Sequence, residues 1–420
     1  MSFLGSSSGG ASRIGAMLVR HRVIAGTAFA ATAVLVAGCT YAATASTSSG
    51  HESITNVSDT KQVAKHVTKK APPPPVVPLK LVSVTPAGGD HDANGGDPIT
   101  VKFSTALSPQ TPLPTLSPSV AGSWQVSGDT ATFTPKSGYL AGTKVTVKVP
   151  GGANGILAAS ASAGALKKTS VTSFTTGSYS TLRLQELLAQ LGYLPLTWTP
   201  ADPATGTIPD SDASAQLAAA YDAPAGTFTF QPGYPSQLTS QWSAGSDNVL
   251  VSGAVRAFEY NVGLTMDGDA GQQVWSALLK AVAKDRANPN GYSYALATQG
   301  SSDESLQVWH DGKRVLETAA NTGIPASPTT DGTFPVYLKY TVTQMKGLNP
   351  DGTKYDDTVY WASYFNGGDA VHAFPRYSYG SYQSLGCVEL PYNGDGPGVA
   401  ENAFNFLTYG SLVTVRGPVA

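Results

Sequence analysis

Charge is scarce in this chain. Only 13% of its 420 residues are Asp, Glu, Lys or Arg, about half the usual share of a soluble domain. That excludes a coiled coil, a helical bundle and a charged disordered tail. The formal net charge of −2 leaves no basic face for nucleic acid. Cysteine is scarcer still, with Cys39 and Cys387 alone, too few for a disulfide scaffold. One Cys39–Cys387 bridge, or two inert thiols, is the alternative to separate roles for each. The apolar run Val23 to Gly38 has sixteen residues, short of the roughly twenty that span a bilayer. Glycine and proline are abundant instead, 45 and 29 residues, a combined share of about 18% against a usual sum near 12%. Such a composition suits a β-rich exported protein with many turns. The length allows about two to four domains.

At the amino end, Arg13, Arg20 and Arg22 precede the apolar run, which closes in Val36-Ala37-Gly38-Cys39. A basic segment, a short apolar core and small residues describe an export signal over residues 1–39. Met17 is a second candidate start. The last four residues resemble a bacterial lipobox. That resemblance implies cleavage before Cys39, lipidation of its thiol and an anchor on the outer face of the membrane; an ordinary signal peptide or anchor helix is the alternative. Residues 40–78 are rich in Ser and Thr, then carry Lys61, Lys65, Lys69, Lys70 and Pro72 to Pro75. They read as a disordered tether that ends in a stiff polyproline spacer.

Three segments follow, and the fold class they spell is multidomain and mainly β. Residues 79–178 alternate with period two: Ile99, Val101 and Phe103 share one strand face, as do Val145, Val147 and Val149. Separated by turn residues, such runs predict a β-sandwich with Trp124, Phe133 and Phe174 in its core. Its segment from Phe133 to Thr143 resembles bacterial immunoglobulin-like wall modules. Asp90, Asp92, Asn94 and Gly95 match the start of a calcium loop, but its twelfth position is Val101 instead of Glu, so a polar turn is the better reading.

Residues 179–285 change period. Leu184, Leu187, Leu188 and Leu191 form one helical stripe; Val251, Ala254, Val255 and Phe258 form a second, and Trp275, Leu278, Leu279 and Val282 a third. With the Asp267–Gly271 turn they resemble a small helical peptidoglycan-binding domain, interrupted by an insertion at 197–248. A helical spacer without a ligand is the alternative.

Residues 290–420 return to strands, with Ser305–His310 and Lys313–Glu317 flanking Asp311-Gly312, further strands at Val336–Thr343 and Val359–Tyr364, a helix over Val399–Leu407 and a last strand at Leu412–Val415. A nucleophilic cysteine needs a base nearby. Of the six histidines, four lie in the signal, the tether or the sandwich, and His310 borders a turn and reads as exposed. His372, fifteen residues before Cys387, is the partner left for it. The small Gly386 would let backbone N–H groups approach a substrate oxygen. Composition alone leaves open a structural cysteine beside a core histidine.

Asn321-Thr322-Gly323, Pro328-Thr329 with Gly332 and Phe334, Val371-His372, Ser384-x-Gly386-Cys387-Val388 and the terminal Gly410…Val413-x-Val415 stand in order over this segment. As a set they resemble the YkuD family of L,D-transpeptidases. The resemblance implies a β-rich catalytic domain whose cysteine attacks the L-centre carbonyl of the third residue in a peptidoglycan stem peptide, releases the terminal D-residue and holds a thioester. A side-chain amine of a second stem then completes a 3→3 cross-link. Carried over, Cys387 is nucleophile and His372 general base. The N–H groups of Gly386 and Cys387 hold the oxyanion, and Ser384 shapes the nucleophile loop. The resemblance also implies carbapenem-type β-lactams as covalent inhibitors, no cofactor and no metal; nothing in the sequence suggests an obligate oligomer, and a monomer is the expectation. The chain departs from the family pattern at Leu385, where His is usual, and at Glu389, where Arg or Asn is frequent. Glu389 and Tyr364 are candidate substrate contacts, Glu389 as an acceptor for an acceptor-stem amine. The alternatives are an L,D-carboxypeptidase with water as acceptor and a non-catalytic wall-binding lipoprotein.

Overall fold

The structure is a computed structural model that describes residues 77–203, 212–300, 302–392 and 398–417. Cys39, the export signal and the tether up to residue 76 lie outside the described residues.

The first segment folds as two sheets. Strands β1 (Leu81–Thr85), β2 (Ile99–Phe103), β4 (Gly122–Ser127) and β5 (Thr130–Pro135) pair in the order β1-β2-β5-β4. Strands β3 (Thr115–Ser117), β6 (Lys144–Val149) and β7 (Ser170–Thr175) form the second sheet. The period-two residues do what their spacing requires: Val101, Phe103, Val145, Val147, Val149, Phe133 and Phe174 are buried between the sheets, while Trp124 is half-buried with its ring 5.5 Å from Phe133. The stretch after Asp90 forms Asx turns, with Asp90 accepting from the Asp92 N–H and Asn94 from the Gly96 N–H.

The helical segment contains α1 (Thr181–Gln190), α2 (Ala213–Tyr221), α3 (Ser236–Thr239), α4 (Val249–Val262) and α5 (Gln272–Val282). Ser180 caps α1 through the Arg183 N–H, and Asn248 caps α4 through the Val251 N–H. Gly263, at φ +74°, ends α4 in the left-handed conformation that favours glycine. The insertion adds an antiparallel pair, β8 (Leu196–Pro200) and β9 (Gly226–Phe230), with α2 between them in the chain; Trp198 of β8 enters the same core as Leu187, Leu188 and Phe258. Each such fully buried side chain contributes about 1.5–3 kcal/mol.

That core does not stop at the segment's edge. It takes in Tyr292, Tyr294, Leu296, Trp309 and Leu412 of the carboxy-terminal segment. There, β10 (Ser293–Thr298), β11 (Ser305–His310), β12 (Lys313–Ala319), β13 (Gly332–Pro335) and β18 (Leu412–Arg416) form a sheet in the order β12-β11-β10-β18-β13. Strands β14 (Leu338–Leu348), β15 (Lys354–Asn366), β16 (Asp369–Ala373) and β17 (Val388–Leu390) form another, with β16 and β17 parallel. Between them, Val308, Val413, Val371, Val388 and Leu390 pack with Ala403 and Leu407, the latter two from α6 (Val399–Phe406) and the residue after it.

Two expectations change. The strands expected at Val336–Thr343 and Val359–Tyr364 are halves of a longer hairpin that turns near Gly352. Its distal half is largely exposed, so no apolar alternation marks it. His310 is half-buried, not exposed, with its Nδ1 2.9 Å from the Ser293 hydroxyl.

The shared core yields a stability prediction. A Cβ on Gly253 of α4 would lie 2.6 Å from the Gly410 carbonyl oxygen and 2.8 Å from Leu412. Gly253→Leu is expected to cost about 1–3 kcal/mol by overpacking and to loosen the sheet that contains β10 and β18 together with the helices. Denaturant unfolding, followed by fluorescence and by alkylation of Cys387, checks this. Loss of one signal without the other would refute a common core.

Candidate active site

The parallel pairing of β16 and β17 sets His372 opposite Glu389, with Val371 opposite Val388. Cys387 therefore sits one residue before β17, beside the strand that carries His372. Both line a single cleft of about 580 Å³ with Leu385, Tyr364, Asp369, Arg376, Gln383 and Glu389. The β14–β15 hairpin closes one side through Met345, Tyr355 and Asp357. Strand β15 bulges at Trp361, whose φ of +58° marks the bend and whose ring packs on Phe404.

His372 is 3% exposed. Its Nδ1 lies 3.0 Å from its neighbour's carbonyl, Ala373 O. With Nδ1 donating there, Nε2 carries the lone pair. Burial, chiefly, lowers the imidazole's pKa, and the Arg376 charge acts the same way. The Cys387 sulfur lies 4.0 Å from Met345 Sδ and 3.9 Å from Gly368 O. Burial pushes its thiol up to about 12, with the Asp369 and Glu389 charges adding to the rise and a hydrogen bond from the Ala370 N–H opposing it. The resting pair is thus a neutral thiol and a neutral imidazole. Asp369 is itself pushed up to about 6, mainly by burial.

The nucleophile loop is held from within. The Ser384 hydroxyl donates to the Cys387 carbonyl at 2.6 Å and accepts from the Gly386 N–H at 3.2 Å. This corrects the expected pair of oxyanion donors: the Gly386 N–H is engaged by Ser384, which leaves the Cys387 N–H as the loop's candidate donor. Gly386 has another reason to be glycine. Its φ is +120°, and a Cβ there would meet the Asp369 carboxylate at 2.5 Å.

Glu389 requires a second correction. It is 4% exposed, and its two oxygens accept from Arg376 Nε and Nη2, each at 2.7 Å. A carboxylate held in a bidentate fork is not free to receive a substrate amine. Tyr364 lines the cleft and packs its ring near Tyr337 and Tyr340.

The sequence pattern included Asn321 without giving it a role, and other residues around the site went unnoticed. Asn321 exchanges backbone hydrogen bonds with Glu389, and its side-chain oxygen accepts from the Gly380 N–H. Glu304 is buried and accepts from the Thr322 N–H and hydroxyl and from the Gly300 N–H, which fixes the segment that backs the nucleophile loop. Ser327 donates to the Leu385 carbonyl. Glu304 lies far from the Cys387 motif, and Arg376, though four residues after His372, stands in no pattern that marks it, so neither was legible.

The protonation state is testable. A neutral electrophile such as iodoacetamide should alkylate Cys387 about tenfold faster per pH unit through pH 10, because only thiolate reacts. Asp369→Asn, which removes a nearby negative charge, should raise the rate at a given pH. A plateau at neutral pH would show a thiolate already present.

Comparison with known proteins adds the family setting. Residues 299–415 match the YkuD L,D-transpeptidase catalytic domain, and residues 75–176 match a bacterial Ig-like domain. No curated protein matches the chain. Among solved structures, an L,D-transpeptidase from Mycobacterium smegmatis is 15% identical over 81% of this chain and 100% of its own, at a TM-score of 0.26. L,D-transpeptidase 3 from Mycobacterium tuberculosis, in complex with a faropenem-derived adduct, is 14% identical over 80% and 97%, at 0.26. The catalytic domain of the E. faecium L,D-transpeptidase is 28% identical over 30% and 96%, at 0.26. Residues 177–298 lie between the two family matches. The family matches decide the assignment: this chain carries a bacterial Ig-like domain followed by a YkuD L,D-transpeptidase catalytic domain, and it is an acyl-transferring enzyme.

Proposed function

We propose that the chain forms 3→3 peptidoglycan cross-links through a thioester on Cys387. The observation that carries this reading is the convergence of Cys387 and His372 on one cleft, with His372 Nδ1 at its neighbour's carbonyl and Nε2 left as the basic nitrogen. The Cys387 sulfur bonds to the L-centre carbonyl of the donor stem's third residue as its proton passes to Nε2. The bond from that carbonyl to the terminal D-residue's nitrogen then breaks, and Nε2 returns the proton to the departing amine. In the second half, the acceptor amine bonds to the carbonyl as the carbon–sulfur bond breaks. Its proton passes through Nε2 back to sulfur, which restores the resting thiol. This is nucleophilic catalysis with one base serving both steps. The Cys387 N–H is the oxyanion donor in this reading.

A carbapenem presents a strained acyl group to the same thiol and should trap it. The proposal extends to export and membrane retention through Cys39, to wall contact by the helical segment and to action as a monomer.

Intact-mass measurement after exposure to a carbapenem should show a single adduct that is absent in Cys387→Ala. In His372→Gln, adduct formation should fall by about 10²–10⁴-fold, the range of general base catalysis. Purified tetrapeptide stems should then yield cross-linked dimers. Tripeptides alone would mean that water is the acceptor, and an adduct that persists in Cys387→Ala would refute the thiol mechanism. In cells, fatty-acid labelling should vanish in Cys39→Ala.

A further inference from the structure

Resting on that reading, we infer that Arg376 binds the terminal carboxylate of the donor stem, on the D-residue that leaves. Two cationic side chains of fixed charge line the described cleft, Lys346 and Arg376. Lys346 is paired with Asp356 at 2.8 Å and is 65% exposed on the hairpin. Arg376 is held quite differently. Its Nε and Nη2 grip Glu389, Nη2 also donates to the Gln383 carbonyl at 3.1 Å, and its guanidinium lies 4.7 Å from the Phe374 ring centroid. Among the described residues nothing accepts from Nη1, whose two N–H groups remain available. The side chain is 30% exposed.

With one edge held by Glu389 and the outer Nη2 N–H by Gln383, Nη1 is left to make a charge-assisted hydrogen bond to a second carboxylate. The guanidinium's orienting partner is already in place, so little side-chain entropy is lost when the ligand binds.

The chemistry fixes where that carboxylate must lie. His372 has to hand its proton to the nitrogen of the leaving D-residue. The carboxyl carbon of that residue is two bonds from this nitrogen, roughly 2.5 Å away. The carboxylate must therefore sit on the His372 side of the cleft. Arg376 is the cation there: its charge acts on His372, and Glu389, to which it is bonded, is the register partner of His372. Glu389 thus serves the substrate indirectly, as the residue that positions Arg376. The other cleft carboxylates, Asp357 and Asp369, carry the wrong sign for this task.

The test compares a tetrapeptide donor stem bearing its free terminal carboxylate with the same stem ending in a carboxamide. Wild-type enzyme should prefer the free carboxylate by about ten- to a hundredfold in kcat/KM, the range of a charge-assisted hydrogen bond. Arg376→Gln alone would strand a buried carboxylate, so the informative variant is Arg376→Gln with Glu389→Gln. It should lose that preference, falling on the carboxylate stem to the carboxamide level while the carboxamide rate is kept. Glu389→Gln alone retains the guanidinium but loosens its hold, and should leave a preference that is reduced and not abolished. An equal fall on both stems in the double variant would mean that the pair only supports the fold, and would overturn this inference alone. So would a wild-type enzyme indifferent to the two stems. No turnover of either stem by the wild type would refute the transpeptidase reading, and this inference with it.

Discussion

The register of two short parallel strands governs the catalytic end of this protein. Strand β17 has only three residues, Val388–Leu390, yet its alignment with β16 decides whether His372 and Cys387 meet. A slip by one residue would turn the side chains of one strand to the opposite face. Hydrophobic patterning cannot prevent this, because β16 is buried along nearly its whole length and reads Asp-Ala-Val-His-Ala without alternation. The register is held from the other edge instead. Asn321 bonds both ways with the Glu389 backbone, and the Thr322 carbonyl receives the N–H groups of Gln383 and Ser384. The buried carboxylate of Glu304 then holds Thr322 by its backbone and its hydroxyl. Placement of His372 thus depends on polar contacts about seventy residues upstream of it, at Glu304.

The same burial sets the chemistry. Burial and two acidic side chains outweigh the one Ala370 N–H that favours a thiolate at Cys387, and a deeply buried imidazole resists protonation. Neither group is charged before substrate arrives. In the proposed reaction, proton transfer belongs to the moment of attack, when the developing charge on the substrate oxygen offsets the charge forming on the ring. A site of this kind is unreactive toward stray electrophiles and depends on a substrate that brings the carbonyl to the sulfur.

The architecture was legible where periodicity speaks. Val145, Val147 and Val149, the Leu184–Leu191 stripe and the Asp311-Gly312 hairpin all fall where their spacing requires, because each buries one face. The distal β14–β15 hairpin was cut short since most of its residues are solvated. At the site, Cys387, His372, Ser384 and Gly386 could be read from a local pattern. Glu304 and Arg376 could not. Their roles arise from approaches of eighteen residues, Glu304 to Thr322, and thirteen, Arg376 to Glu389, and nothing in a linear pattern marks such an approach. Glu389 was misread for the same reason: its charge is visible in the sequence, but its partner is not.

The two departures from the family pattern act on the site together. Leu385 replaces a polar side chain with an apolar one in the cleft wall, where its carbonyl is pinned by the Ser327 hydroxyl at 3.0 Å. A drier wall strengthens every electrostatic contact inside the cleft. Glu389 would be an isolated buried charge in such surroundings, at a cost of several kcal/mol, unless a cation came with it. Arg376 is that cation. Glu389 is therefore tolerable because it holds a guanidinium in the cleft, and the group offered there is a donor. Two substitutions that look like losses in the sequence leave the cleft apolar at one wall and cationic at the other.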